Sequence, residues 1–355
     1  MAPRASVLIP CFNYEQYVGE ALHSALSQDW PELEVVVCDD GSTDGSWERI
    51  EKAAGDDSRL KAVRQGNRGL SSALDRAFAE STGEIIFFLD ADDAFLPGKI
   101  QRVMKVFSDE PEIGLVVHRM RIVDAAGRPQ VDVPYRLEEG DLRATLLRRG
   151  GLWRYIPGGQ AMRRPIAEQV FPVPTEIRAP DAFMLTLAPL LAPVRAIREP
   201  LTLYRKHGSN MSLTHTQLWS GGARRGQALW EQVLDAVNER LEELGDTTAL
   251  LEKERHLELR TLRLIADLFD GAPRRAVARE LSQLGRELLA DDMSHPLRRM
   301  ANFAECAICA ALPAKLRARW LSVSRSPRAR ELGVRVAMWR PWLVRRHRTV
   351  GLRHT

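Results

Sequence analysis

The chain has 355 residues, with 51 Lys+Arg against 47 Asp+Glu and a net charge of +4; its length corresponds to about two domains. A hydrophobic content of 45% and a charged content of 28% exclude a collagen-like, coiled-coil or largely disordered chain. The net charge is too small to announce a nucleic-acid binder, and four cysteines in this length do not make a disulfide framework.

The first 125 residues alternate between two periods. Apolar runs at Ser6–Pro10, Leu33–Cys38, Leu60–Val63, Glu84–Leu89 and Gly114–Val123 predict strands, and Glu15–Gln28, Ser46–Ala54, Leu70–Glu80 and Gly98–Phe107 predict helices between them. Strand and helix repeating at this pace imply an α/β domain with a mostly parallel sheet. Uninterrupted apolar strands such as Val35-Val36-Val37 imply burial on both faces. From Arg128 to Ser212 the pattern loosens, with helices expected at Leu142–Arg149 and Ala182–Leu191. Beyond Ser212 the spacing predicts helices only, at Leu213–Leu244, Ala249–Phe269, Ala276–Leu289 and Leu297–Ala318. The expected division is therefore 1–212 and 213–355. Cys11 and Cys38 read as reduced core residues, and the lone Cys306-x-x-Cys309 pair as part of a buried helix, because structural zinc wants four ligands.

Ligands of such sheets sit off the carboxyl ends of the strands, so those ends are where chemistry is expected. Three carry unusual polar residues. Pro10-Cys11-Phe12-Asn13-Tyr14 places a flat ring at the end of the first strand, where it can meet a planar base. Cys38-Asp39-Asp40-Gly41-Ser42-Thr43-Asp44-Gly45-Ser46 ends a buried strand in two carboxylates and runs through a turn into a helix. Thr43, Asp44 and Ser46 suit helix capping; Asp39 and Asp40 together exceed that need and can accept from a base N–H or a ribose hydroxyl. Leu89-Asp90-Ala91-Asp92-Asp93 puts three acids in four positions. Alternation along the strand predicts Asp90 and Asp92 on one side, able to approach one hard divalent ion such as Mg²⁺ or Mn²⁺. The first turn lacks G-x-G-x-x-G and the chain lacks a P-loop, which argues against a dinucleotide or nucleotide-triphosphate site of those kinds.

Taken in order, Ser6–Asn13, Asp39–Asp44, Asn67-Arg68-Gly69-Leu70-Ser71 and Leu89–Asp93 resemble the family 2 glycosyltransferases of the GT-A fold. The resemblance covers the chain from Ser6 to about Ser212. It implies a nucleotide-diphospho-sugar transferase with a Rossmann-like mixed sheet, followed here by the all-helical C-terminal region. Carried over, it implies that Pro10 and Phe12 border the nucleobase beside Asn13, with Asp40 as its polar contact and Asp39 next to it. Asn67 and Arg68 lie near the diphosphate or ribose. In the D-x-D formed around Ala91, Asp92 binds the metal and Asp90 reaches the ribose or the metal shell. The family's catalytic base stands at the start of a later helix, which points to Asp181; Pro180 replaces the acid that often precedes it. Ile156–Ala161, with Gly159, resembles the loop lining the donor-sugar and acceptor pocket. Tyr204–Ser212 resembles the family's Y-R-x-H-G-x-N-x-S segment, which makes His207 a metal or diphosphate contact and lets Arg205 or Lys206 offset phosphate charge.

The resemblance implies transfer of a sugar, UDP-linked first, to an acceptor hydroxyl in glycan or polysaccharide synthesis, with inversion and with Mn²⁺ or Mg²⁺. The alternatives are a sugar nucleotidyltransferase, which wants a glycine-rich basic loop after strand one, and a non-catalytic sugar-nucleotide scaffold. Between Leu316 and Thr355 lie eleven arginines against one acid, Glu331, with Trp320, Trp339 and Trp342 interleaved. Arg with Trp suits an anionic membrane surface, and the resemblance makes a glycan or lipid-linked acceptor the expected partner; no RNA-binding motif accompanies the arginines. With no signal-type segment and no apolar run of about 18 residues, the expected location is cytoplasmic, peripheral on the inner membrane face.

Overall fold

The computed structural model describes residues 2–130, 137–150, 159–208 and 223–269, with a few helical positions between 279 and 286. Strands β1 (Ala5–Cys11), β2 (Leu33–Asp39), β3 (Leu60–Arg64) and β4 (Ile85–Phe88) form a parallel half-sheet in the order β3-β2-β1-β4. Helices α1 (Val18–Leu26), α2 (Ser46–Asp56) and α3 (Leu70–Ala79) connect them. Every residue of β1 and β4 is buried, as expected of strands covered on both faces. Val7, Ile9, Val35, Val37 and Phe87 face one apolar layer with Leu22, Ile100 and Met104. Leu8, Val36, Ile86 and Phe88 face the other, with Leu74 and Phe183.

The second half of the sheet departs from the parallel expectation. It comprises β5 (Ala94–Phe95), β6 (Leu115–Asp124), β7 (Gln160–Arg163) and β8 (Val194–Lys206), and the full order is β3-β2-β1-β4-β7-β6-β8-β5. β7 runs antiparallel to both β4 and β6, β8 runs parallel to β6, and β5 pairs antiparallel with β8. β5 and β7 are too short to show a period of their own; they are strands because buried neighbours supply their hydrogen-bond partners. The sheet is mixed, as the GT-A resemblance implies.

Helices α4 (Lys99–Asp109), α5 (Arg143–Arg149), α6 (Arg164–Val170) and α7 (Pro180–Leu191) complete the α/β body. Ten residues of α7 are buried, so the helix is apolar nearly all round and its first turn is held in place by packing. Each large apolar side chain removed from water contributes about 1.5–3 kcal/mol.

Of the expected C-terminal helices, two are described: α8 (Ala223–Glu243) and α9 (Leu257–Phe269). Residues 249–256 form turns instead of helix, because the Leu259 amide donates to His256 Nδ1 at 3.1 Å and starts α9 there. Among the described residues, one compact unit holds 2–130, 137–150, 159–208 and 225–260, and the other holds 223–224, 261–269 and the positions near 280. Most of α8 therefore belongs to the unit that contains the sheet. Its Arg240 donates to the carbonyls of Gln169, Val170, Phe171 and Pro172, which satisfies acceptors left open at the end of α6. The boundary expected at 212, the 297–318 helix, Cys306, Cys309 and the Arg/Trp segment lie outside the described residues. Among those described, no helix is long and apolar enough to cross a membrane.

Candidate active site

Parallel pairing of β1, β2 and β4 aligns their carboxyl ends, so the loops after them are neighbours. The turn after β2 ties down the loop after β1. Asn13 N donates to Ser42 Oγ at 2.9 Å, Tyr14 N to Ser46 Oγ at 2.9 Å and Glu15 N to Asp44 Oδ2 at 3.1 Å; Thr43 N returns a bond to Asn13 Oδ1 at 2.8 Å. Asn13 adopts φ 57°, a left-handed conformation in which asparagine is well tolerated. The loop so held presents Phe12, which is 40% exposed. Pro10 is buried within β1.

The two acids at the end of β2 are turned toward protein donors. Asp39 is fully buried; its Oδ2 accepts from Ser42 N at 3.1 Å and pairs with Arg64 Nε at 3.1 Å. Asp40 accepts from Gln65 Nε2 and Arg68 N through Oδ1, and from Gly69 N through Oδ2, each at 2.8 Å. Those bonds place Arg68 and the start of α3 beside the β2 end. Gly41, at φ 75°, lets the chain pass Asn67 closely, since a Cβ there would stand 2.9 Å from the Asn67 amide nitrogen. The side chains of Asn67 and Arg68 are exposed. Thus Phe12, Asn13, Asp39, Asp40, Asn67 and Arg68 converge around the ends of β1, β2 and β3.

The acids after β4 are differently placed. β4 stops at Phe88, and Asp90–Asp93 form a turn closed by Asp93 N donating to Asp90 O at 3.0 Å. Strand alternation is therefore not what joins Asp90 and Asp92. The turn does so, and it brings in Asp93 as well: one carboxylate oxygen from each lies within 4.8 Å of the others. Ala91 is buried beneath them. Burial, and then the Asp92 charge, push Asp90 up to about 7. Burial raises Asp93 well above the usual carboxylate range, with Asp90 and Asp92 adding to it. Arg205 N donates to Asp93 Oδ1 at 2.8 Å, whereas Asp93 Oδ2 is buried with no partner among the described residues.

The donor set fits a hard divalent cation: three carboxylates, mutually repelling, converge with a buried oxygen left over. Lys99 stands behind them, fully buried, with Nζ donating to Thr202 Oγ1 at 3.0 Å and lying 3.6 Å from the Phe95 ring centroid. Burial drives its ammonium well below its ordinary pKa, although Asp93 and Asp90 favour the charge. One lysine in so dry a place does not neutralise three acids.

Two residues remote in sequence join this cluster. Asp181 occupies the first turn of α7; burial, and then the Asp90 charge, raise it well above the usual carboxylate range. His207, at the end of β8, sets Nε2 2.9 Å from Asp92 Oδ2. Its ring stacks on Tyr17, centroids 4.9 Å apart at 26°, and meets Tyr14 edge-on at 6.0 Å. The Tyr14 phenol is turned toward Asp92; burial and that carboxylate raise its pKa. Arg205 faces away from the acids' open side. Its Nη2 pairs with Glu20 Oε2 at 2.7 Å and its Nε donates to Asp92 O at 3.0 Å, so it braces β8 against α1. Gly159 is buried, its carbonyl accepting from His118 N at 2.8 Å; residues 156–158 of the same loop lie outside the described residues. The aromatic cage and Lys99 are functional candidates that the motifs did not single out. A lysine opening an otherwise apolar helix face, Ile100-Val103-Met104-Phe107, was the available signal for Lys99.

A mixed sheet with a nucleotide-type parallel half, an acid triad at the end of its fourth strand and a half-buried acid that feels the charge of that triad define a GT-A transferase. The model of the family described as glycosyl transferase family 2 matches residues 6–171. An uncharacterized glycosyltransferase of Nostoc sp. is 32% identical over 265 residues, covering 72% of this chain and 81% of its own length. The solved structure of S. aureus TarS 1–349 is similar at TM-score 0.52 and 18% identity, over 95% of this chain and 92% of that one. A mannosyltransferase from Pyrobaculum calidifontis, solved with GDP-Man and Mn²⁺, is similar at TM-score 0.51 and 23% identity, over 88% and 86%. This chain belongs to glycosyltransferase family 2.

Proposed function

We propose that the chain transfers a sugar from a nucleotide diphosphate, UDP-linked first, to an acceptor hydroxyl with inversion, and that the reaction needs Mn²⁺ or Mg²⁺. The observation that carries this reading is the convergence of Asp90, Asp92 and Asp93 within 4.8 Å, with Asp181 raised in part by the Asp90 charge. Asp90, Asp92 and Asp93, with His207 beside Asp92, would hold a divalent ion, which would supply positive charge to the leaving diphosphate. Phe12 offers its ring to the base, Asn13, Asp39 and Asp40 shape the loops around it, and Asn67 and Arg68 face the ribose and diphosphate. Gly159 belongs to the wall of the sugar pocket. Asp181, ionised, accepts the acceptor's proton as its oxygen attacks the anomeric carbon from the face opposite the diphosphate; this general-base help is worth about 10²–10⁴-fold.

The acceptor in this reading is a glycan or lipid-linked glycan in polysaccharide synthesis, and the Arg/Trp-rich segment meets the anionic inner membrane face. The test is a panel of UDP- and GDP-sugars incubated with the full chain, with Mn²⁺, Mg²⁺ or EDTA, and products identified by mass spectrometry. Transfer or donor hydrolysis that disappears with EDTA is expected; undiminished turnover with EDTA overturns the metal. For the membrane, flotation on phosphatidylglycerol vesicles is expected for the full chain and lost when it ends at Ala314. Equal flotation of the two removes that address.

A further inference from the structure

Resting on the reading of His207 as a contact of the metal site, a second question is what holds its imidazole. A surface histidine rotates about two side-chain bonds, and ordering it on binding costs part of the affinity it provides. Here the ring is already confined. Tyr17 lies against one face at 4.9 Å and 26°, and Tyr14 stands edge-on at 6.0 Å. Nε2 reaches Asp92 Oδ2 at 2.9 Å, and the His207 side chain is only 6% exposed. Tyr17 is itself packed between neighbours. It precedes α1, its ring carries the Arg205 guanidinium 5.2 Å from the centroid, and Arg205 is paired in turn with Glu20 of α1. Tyr14 and Tyr17 belong to the loop that Ser42, Asp44 and Ser46 tie down from the β2 end. The aromatic pair thus adjoins a stretch tied down by three hydrogen bonds, and the histidine it contacts reaches Asp92 of the acid triad.

We propose that Tyr17 is a positioning residue for the acidic site: its ring fixes the His207 imidazole on Asp92, so that a divalent ion meets a histidine already in place. The role belongs to the ring and not to the phenol hydroxyl. Phenylalanine at position 17 therefore preserves it, and an aliphatic side chain does not.

The experiment measures Mn²⁺ binding to the full chain without donor, from the free-ion signal in electron paramagnetic resonance, for wild type, Tyr17→Leu, Tyr17→Phe and His207→Ala. Confinement of one side chain predicts an Mn²⁺ Kd weakened roughly three- to tenfold in Tyr17→Leu. Tyr17→Phe is expected within twofold of wild type, and His207→Ala at least as weak as Tyr17→Leu. Tyr17→Met, unbranched and similar in length, takes the place of Tyr17→Leu if the latter does not fold. Histidine ring carbon–proton spectra give a second readout: the stacked His207 signal is shifted by the Tyr17 ring current in wild type and Tyr17→Phe and relaxes in the aliphatic variant. If His207→Ala weakens Mn²⁺ while the aliphatic variants bind as wild type, the positioning role of Tyr17 is wrong and His207 stands. If His207→Ala itself binds Mn²⁺ unchanged, the reading of His207 fails and this inference falls with it. A lowered melting temperature with unchanged Kd in the aliphatic variants identifies Tyr17 as packing alone and equally overturns the proposal.

Discussion

Two acid clusters end β2 and β4, the strands that flank β1 in the sheet, and they behave in opposite ways. At the end of β2, Asp39, Asp40 and Asp44 accept from amides, serines and Arg64. Burial opposes ionisation of Asp44, yet hydrogen bonds from Ser46 and the Glu15 amide hold it below the ordinary carboxylate range. At the end of β4, Asp90, half-buried, is pushed upward by desolvation and the Asp92 charge, and Asp93, buried, by desolvation and then by Asp90 and Asp92. Each acid of the first group has a protein donor, although Asp39 Oδ1, like Asp93 Oδ2, is buried with no partner among the described residues; what sets the second group apart is that three carboxylates converge on one another, which poises them for a cation. Composition does not separate the two clusters. Their partners do.

Removing an acid from the cluster after β4 should have the largest effect. Asp92→Ala is expected to lower glycosyl transfer on the order of 10³-fold or more, because electrostatic stabilisation of the leaving group is a dominant catalytic contribution. Transfer measured by mass spectrometry at near wild-type rate would dissolve the contrast between the clusters. Asp181→Asn comes next, with turnover reduced by about 10²-fold or more and melting temperature little changed. Because Asp181 is raised by burial and by Asp90, its basic form fills only above the ordinary carboxylate range. Wild-type turnover should therefore climb with pH there, and a pH–rate profile of Asp181→Asn should lack that limb.

The acids at the end of β2 should respond in stability. Asp40→Ala strands the amides of Arg68 and Gly69 and the Gln65 side chain, and is expected to cost about 2 kcal/mol in denaturant unfolding. An unchanged midpoint would show that those bonds are dispensable. The smallest effect tests an acid between the two extremes. Asp75 is partly buried and, among the described residues, accepts a hydrogen bond from Val173 N alone, at 2.8 Å; burial pushes it up to about 6. A carboxyl that holds its proton more tightly when folded adds stability below its unfolded pKa and loses it as pH rises through the folded value. Stability should fall between about pH 4 and 6 through this group, and Asp75→Asn should flatten that slope in thermal melts.

Much of this site was legible before any tertiary contact was known. The change of pattern located β1 to β4 and α1 to α4 within a few residues, because burial on both faces leaves β1 and β4 buried at every position and β2 nearly so. Asp39–Asp44 and Asp90–Asp93 stood out because consecutive acids at a strand end repel one another. Other features were not legible for definite reasons. β5 and β7 have two and four residues, too few for a pattern. The triad's third member, Asp93, was obscured by reading Asp90–Asp92 as strand when the chain has already turned. Residues 249–256 look helical in composition, yet His256 accepts the Leu259 amide and begins α9 at Leu257.

What the amino-acid order determined by itself is local: which segments are strand or helix, where acids cluster, and the family those motifs announce. Such features depend on side-chain size, backbone preference and hydrogen bonds between near neighbours. What only the tertiary structure decided is which acids have partners. Asp40 is satisfied by amides 28 and 29 residues away, and His207 reaches Asp92 across 115 residues. Asp181 feels the charge of Asp90 although the two stand on different elements far apart in the chain, and Tyr17 meets His207 from the opposite end of the domain's sequence. Burial and electrostatics sum over everything nearby in space, so the state of a carboxylate is set by neighbours that its own segment does not specify.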